Sequence, residues 1–183
     1  IDYCAGNLSL LLPTFLEKLG CQVVVMGTSS NDICRPRSYS EILNAVSDVS
    51  KMVIQNAADI GVIVDDNAEK LVLIDEKGHV VSEEAFLALI ALIMLKSSPN
   101  RTAAVPITAP AIIETLARRY NGKVIRTKAD PRSVMEKILE EKIFVGQNGF
   151  AGIQPVSDAL FSFAKILELM ATEKKGLASL VAQ

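Results

Sequence analysis

The sequence predicts an α/β protein, a parallel or mixed sheet covered by helices, in two units that meet near residues 78–82. Three observations predict it. Half of the 183 residues are hydrophobic and 22% are charged, enough apolar material for a sizeable core and too much for a disordered chain. Short β-branched runs alternate with segments of helical spacing along the whole length. Capping residues, glycines and prolines fall at the seams between them.

The elements follow in order. Ile1-Asp2-Tyr3-Cys4 reads as the end of a strand. The chain opens on Ile rather than Met and inside an element, so the expectation is a piece of a longer protein whose targeting signals lie outside these residues. Leu10 to Leu19 has helical spacing, with Gly20 at the C-terminal stop. Gln22 to Met26 is a β-branched run that predicts a buried strand, and Gly27–Arg37 a polar coil. Ser38 and Glu41 form a capping-box pair ahead of Ile42, Val46, Val49 and Val53, spaced as one helix face. Asp59 to Val64 is a second buried strand. It stops at Asp65-Asp66-Asn67-Ala68-Glu69-Lys70 and is followed by a short strand, Leu71 to Ile74, and the turn Asp75-Glu76-Lys77-Gly78.

Glu83 to Leu95 predicts a strongly apolar helix. Its uncharged run, Ala85–Leu95, falls short of the roughly 20 apolar residues of a membrane span and reads as buried. After the polar stretch Lys96–Arg101, strands at Thr102–Ile107 and Lys123–Arg126 flank a helix at Ala111–Tyr120 and an Asn121-Gly122 turn. Asp130 caps a helix that starts at Pro131 and continues from Arg132 to Glu141. Ile143-Phe144-Val145 predicts a short strand entering the loop Gly146–Gly152, and Asp158–Thr172 a long helix. The second half is therefore β-α-β-α-β-α.

Composition narrows the function. Lys and Arg total 19 against 21 Asp and Glu, a net charge of −2 that supplies no field for nucleic acid. With no Trp and 5% aromatics there is no stacking platform for bases. The three cysteines, Cys4, Cys21 and Cys34, are odd in number and lack metal-type spacing, as in a reducing, cytoplasmic compartment. Glycine-rich nucleotide motifs of the Walker or Rossmann kind are absent. His79, the single histidine, follows Gly78 in a polar turn with no nucleophile motif, and reads as a surface residue.

In open α/β sheets ligands bind beyond the C-terminal ends of the strands, and two loops with polar residues qualify. Asp65, Asn67 and Glu69 stand at alternate positions after the second buried strand. Oxygen ligands with carboxylate charge suit Mg²⁺ or Ca²⁺; the plain alternative is a solvated acidic turn. Gln147 and Asn148, in the loop before Gly149, carry amides that both donate and accept, which suits sugar hydroxyls; the alternative is an ordinary Asn-Gly turn. Arg126-Thr127-Lys128 either offers paired cations to a phosphate or is a solvated strand end.

The order of these motifs resembles the α-D-phosphohexomutases, the phosphoglucomutase and phosphomannomutase family, over nearly the whole chain. Asp2 through Gly6 and Leu19-Gly20-Cys21-Gln22-Val23 look like the opening Asp-x-x-x-Gly and Leu-Gly-x-x-Val of that family's second domain. Ala58-Asp59-Ile60-Gly61-Val62 before Asp65 looks like the strand entering the metal loop, and Asp75-Glu76-Lys77-Gly78 is similar to the turn after it. Arg126-Thr127-Lys128, Gly146–Gly149 and Asp158-Ala159 resemble the Arg-Thr-Lys segment, the sugar-binding loop and the following helix start of the third domain. The resemblance implies two consecutive three-layer α/β/α domains with mixed, mostly parallel sheets, residues 1–79 as a truncated domain two and residues 80–183 as domain three.

The resemblance also implies sites. In the metal loop Asp-Gly-Asp-x-Asp-Arg, Asp65, Asn67 and Glu69 stand where Mg²⁺ ligands belong and Lys70 where the Arg belongs. Asn67 removes a charge, Glu69 adds a methylene, Lys70 loses the planar fork, and Asp66 replaces a glycine, all of which weaken the metal site. Lys70, Arg126, Lys128, Gln147, Asn148 and Gly149 stand at substrate-binding positions, with Gln147 near the family's sugar-binding Glu. Asp130 stands where a glycine is usual and would repel a phosphate.

The family's phosphoserine lies in its first domain and its phosphate clamp in its fourth. No catalytic residue is therefore expected here, and the missing domains of the same chain are expected partners. Two functions follow from the resemblance. One is a piece of a mutase that moves a phosphoryl group within a hexose phosphate. The other is a non-catalytic sugar-phosphate-binding module joined to a sugar-1-phosphate nucleotidyltransferase, for example a mannose-1-phosphate guanylyltransferase.

Overall fold

The computed structural model describes residues 1–3, 8–26, 38–65, 67–143 and 158–182. The α/β class is borne out: helices cover two small sheets, one mixed and one parallel. In the first sheet β1 (Asp2–Tyr3) runs parallel to β2 (Ile60–Val64), which pairs antiparallel with β3 (Leu71–Asp75), Val64 opposite Leu71. In the second, β4 (Thr102–Pro106) and β5 (Lys123–Thr127) run parallel, with Val105 opposite Arg126.

The helices begin where capping chemistry places them. After α1 (Leu8–Lys18) the chain reverses at Gly20, φ +84°. For α2 (Tyr39–Gln55), the Glu41 amide donates to Ser38 Oγ at 3.4 Å and the Ser38 amide to Glu41 Oε2 at 2.8 Å, the full capping box. Ser82 caps α3 (Glu83–Ser97), and α4 (Ile112–Arg119) follows β4. Asp130 caps α5 (Pro131–Glu140), whose first residue is the proline, and Asp158 caps α6 (Ala159–Glu173). A short α7 (Leu177–Val181) ends the described chain.

Period-2 alternation assigns each face of the first sheet a different partner. Ile63 and Ile74 face α2 and form a small buried cluster with Val49 and Val53. At Gly61 the helix comes so close that a Cβ would lie 2.6 Å from Val53 Cγ2 and 2.9 Å from Val49 Cγ1. Val62, Val64 and Leu73 face the other way and join Leu12 and Leu16 of α1 in a much larger buried cluster. That cluster continues through α3, in which Leu89 to Leu95 are all buried, and into β4, α4, α5, α6 and α7. A helix buried all round accounts for the uniformly apolar run. Among the described residues no helix is long and apolar enough to cross a membrane.

The turn after β3 is built by its own acids. Asp75 Oδ1 accepts from the Lys77 and His79 amides at 2.9 and 2.8 Å, and Gly78 takes φ +82°. Glu76 Oε2 accepts from the Ala178 amide at 3.0 Å, across 102 residues, and so holds the start of α7.

Two expectations need correction or qualification. Gln22 to Met26 does not form a buried strand. It makes a single parallel bridge, Met26 with Asp2, while Gln22 and Val24 are exposed. Its neighbour among the described residues, Ile1–Tyr3, offers too little backbone for a ladder: the Met26 amide donates to Ile1 O at 2.8 Å and the Ile1 amino group to Val24 O at 2.6 Å. Of Ile143-Phe144-Val145, only Ile143 is among the described residues. It is buried and its amide closes α5 on Ile138 O at 2.9 Å.

Candidate functional site

The hairpin connecting β2 to β3 is a turn held by one carboxylate. Asp65 Oδ1 accepts from the Glu69 and Lys70 amides at 2.8 and 2.9 Å. The Asp65 amide donates to Lys70 O at 3.1 Å and the Ala68 amide to Asp65 O at 3.2 Å. Ala68 takes φ +60°, a left-handed conformation that only a turn imposes on alanine. Its carbonyl accepts from the Ala159 amide at 2.9 Å, so the hairpin tip is docked on the first residue of α6. Asp65 is half-buried, while Asn67, Glu69 and Lys70 are exposed and their side chains bond no described residue. Asp66 lies outside the described residues.

Asp65, Asn67 and Glu69 are therefore together on one short loop, and their donor chemistry is that of a hard cation: oxygen only, with Asp65 oriented by two backbone amides and Glu69 and Asn67 unengaged. The set holds two carboxylates and a neutral amide, oxygen donors of the kind a hard cation such as Mg²⁺ takes, and among the described residues no group of three His, Cys, Asp or Glu side chains is placed to hold a metal.

The end of β5 is organised differently. Arg126 uses all three guanidinium nitrogens within its own domain. Nε and Nη2 donate to the two carboxylate oxygens of Glu114 on α4, each at 2.8 Å. Nη1 donates to Ala109 O at 2.5 Å and Pro106 O at 3.2 Å, and Nη2 reaches Pro110 O at 3.5 Å. The guanidinium expected to meet a phosphate is engaged in this structure by the loop after β4 and by Glu114, because a planar fork matches a facing carboxylate. Glu114 carries the electrostatic mark of that pairing; hydrogen bonds from Arg126 hold its carboxyl below the usual glutamate range. Lys128 is exposed and its ammonium bonds no described residue.

Asp130 caps α5 as expected. Its carboxylate accepts from the Ser133 amide at 2.8 Å and the Ser133 hydroxyl at 2.7 Å, which hold its pKa below the ordinary aspartate value. It is a helix cap rather than a charge aimed at a ligand. Gln147, Asn148 and Gly149, with the rest of the expected sugar loop and with Cys4 and Cys34, lie outside the described residues. His79 is a surface turn residue as expected, its ring 3.5 Å from Asp75 Oδ2 and its side chain 74% exposed.

A cleft opens at the ends of β4 and β5, lined by Glu83, Leu87, Thr108, Ala129 and Pro131 among others. Sequence reasoning missed Thr108 and Glu114. Neither lies in a motif; the available signal was an acid in the first turn of the helix between two parallel strands, facing the arginine of the second.

The chain is similar to mutases of known class. Residues 82–183 match the family model described as phosphoglucomutase/phosphomannomutase, alpha/beta/alpha domain III. A phosphoglucosamine mutase of Nitratidesulfovibrio vulgaris (strain DP4) is 27% identical, over 100% of this chain and 42% of its own length. A phosphoglucomutase/phosphomannomutase of Thermococcus kodakarensis is 29% identical, over 99% and 41%. The crystal structure of a phosphoglucomutase/phosphomannomutase family protein from Burkholderia thailandensis superposes with a TM-score of 0.74 at 19% identity, covering 98% of this chain and 41% of that one. The chain thus spans about two fifths of the length of these relatives and, with more than half of its residues matched by the family model, it belongs to the phosphoglucomutase/phosphomannomutase family.

Proposed function

We propose that this chain is the hexose-phosphate-handling middle of a phosphohexomutase, two domains that bind and orient the sugar for intramolecular phosphoryl transfer but are catalytically incomplete alone. We place the domain boundary at residues 79–80, which the start of the family match at residue 82 supports. A hydrogen bond carries the reading: the Ala159 amide on Ala68 O docks the loop of Asp65, Asn67 and Glu69 on the helix that follows the expected sugar loop. The hairpin loop is thereby held against the start of α6, the helix that follows the expected sugar loop in the sequence.

In this reading Asp65, Asn67 and Glu69 would hold Mg²⁺, which when bound stabilises charge on a transferring phosphoryl group. The chain's own part is binding. Lys70 and Lys128, both unpaired among the described residues, supply positive charge toward a phosphate, and the Gln147–Asn148–Gly149 segment supplies amides toward sugar hydroxyls. The phosphoryl donor and the remaining phosphate contacts come from domains of the longer protein. The setting is cytoplasmic.

The low charge of the hairpin set favours one competing reading, a module that binds sugar phosphate without metal beside a sugar-1-phosphate nucleotidyltransferase. Calorimetric titration separates the two. Saturable Mg²⁺ binding that is lost in Asp65→Ala, with glucose or mannose phosphate bound more tightly in its presence, is the expected result. Sugar-phosphate binding indifferent to Mg²⁺ would establish the module instead, and heats no larger than dilution for every titrant would overturn both.

A further inference from the structure

We propose that Thr108 is a ligand-contacting residue of the β4–β5 cleft and that Arg126, braced by Glu114, is the positioning pair that presents it. The inference rests on the sugar-phosphate reading above and adds to it Thr108 and Glu114, which no motif marked.

The loop after β4 commits most of its carbonyls to one cation, although on an exposed turn they could point anywhere. Here those of Pro106, Ile107, Ala109 and Pro110 all turn toward the Arg126 guanidinium, at 3.2, 3.4, 2.5 and 3.5 Å. The Ile107 amide donates to Thr127 O at 2.9 Å and the Ala109 amide to Pro106 O at 2.9 Å. Thr108 is the exception. Neither its amide nor its hydroxyl bonds any described residue, it is exposed, and it lines the cleft with Glu83, Ala129 and Pro131. With the Ile107 and Ala109 amides used inside the fold and the neighbouring carbonyls gathered by Arg126, the Thr108 amide and hydroxyl are the donors that this loop leaves to a ligand in the cleft.

The cation itself would wander without a partner, since an arginine has four rotatable bonds to order. Glu114 fixes it by matching both prongs of the fork at 2.8 Å. The pair thus acts on ligand through Thr108.

The test uses the 183-residue chain with glucose 6-phosphate and mannose 6-phosphate as probes. Thr108→Val, which removes the hydroxyl at nearly constant volume, should weaken binding of at least one probe about tenfold. Arg126→Lys and Glu114→Gln should each weaken it several-fold, and the double variants with Thr108→Val should lose little more than Thr108→Val alone. Amide exchange of Ile107 and Ala109 should accelerate in Arg126→Lys and Glu114→Gln but not in Thr108→Val. Additive losses for Arg126→Lys and Thr108→Val would mean that Arg126 meets the ligand itself, and overturn the positioning role. Unchanged loop exchange would overturn the clamp. Failure of the wild-type chain to bind either probe would overturn the sugar-phosphate reading and the role of Thr108 with it, while the exchange data would still decide the clamp.

Discussion

Asp65 performs two jobs that substitution can separate. Its Oδ1 satisfies two backbone amides of the hairpin, and its carboxylate is one of the two in the candidate ligand set Asp65, Asn67 and Glu69. Asp65→Asn keeps an acceptor oxygen and should leave urea stability within about 0.5 kcal/mol of wild type. Asp65→Ala strands two amides in a half-buried turn and should cost about 1–2 kcal/mol. Both should weaken Mg²⁺ binding roughly tenfold or more in calorimetry, because affinity follows ligand charge. Equal stability losses in the two variants would deny the capping role. Glu114 gives a pH prediction. Its folded-state pKa is depressed, so its contribution is present above the unfolded value of about 4.3 and is lost as pH falls through the lower folded value. Glu114→Gln should therefore lower stability at pH 7 by about 1 kcal/mol at most, since the carboxylate is 42% exposed and screened. The difference should vanish in acid, where wild type has lost the charge too; a gap that widened on acidification would contradict the sign.

Elements were legible in the sequence where a local rule decides them. Ser38 with Glu41, Asp130 before Pro131, and Gly20 after an apolar helix are decided by residues within one turn of each other, and the structure has all three. Gln22–Met26 has strand composition but among the described residues pairs only through Met26, and pairing depends on residues distant in the chain. The engagement of Arg126 was illegible for the same reason: the glutamate that holds it stands twelve positions away on another element. The close approach of α2 to β2 is a second long-range fact, and it makes Gly61 sensitive. A methyl there would sit within 3.1 Å of Val53, Val49 and Ile74, so Gly61→Ala should cost about 1–3 kcal/mol by overpacking, measurable by urea unfolding. A neutral result would mean that α2 can shift outward freely.

At the scale of the molecule, the boundary proposed at residues 79–80 would divide the chain in two, whereas the packing joins the halves. Val62, Val64 and Leu73 of the first sheet lie in the same buried cluster as α3, β4 and α6. The hydrogen bond from Ala178 to Glu76 and that from Ala159 to Ala68 tie the end of the chain back to both ends of the β2–β3 hairpin. Helix α3 lies at the centre of this arrangement, with seven consecutive residues withdrawn from solvent. If the cluster is one cooperative unit, damage on one side must be felt on the other. Leu95 is fully buried and borders Gly122 in the second sheet's domain, where its Cδ2 stands 2.6 Å from a Cβ built at that glycine. Leu95→Ala should cost about 2–5 kcal/mol as a large-to-small core change. Native-state hydrogen exchange should then show the same loss of protection at Val62 in β2 and at Ala104 in β4, since both would exchange through one global opening. Loss confined to Ala104 would show that the two sheets unfold independently, and the shared cluster would then not be one cooperative unit.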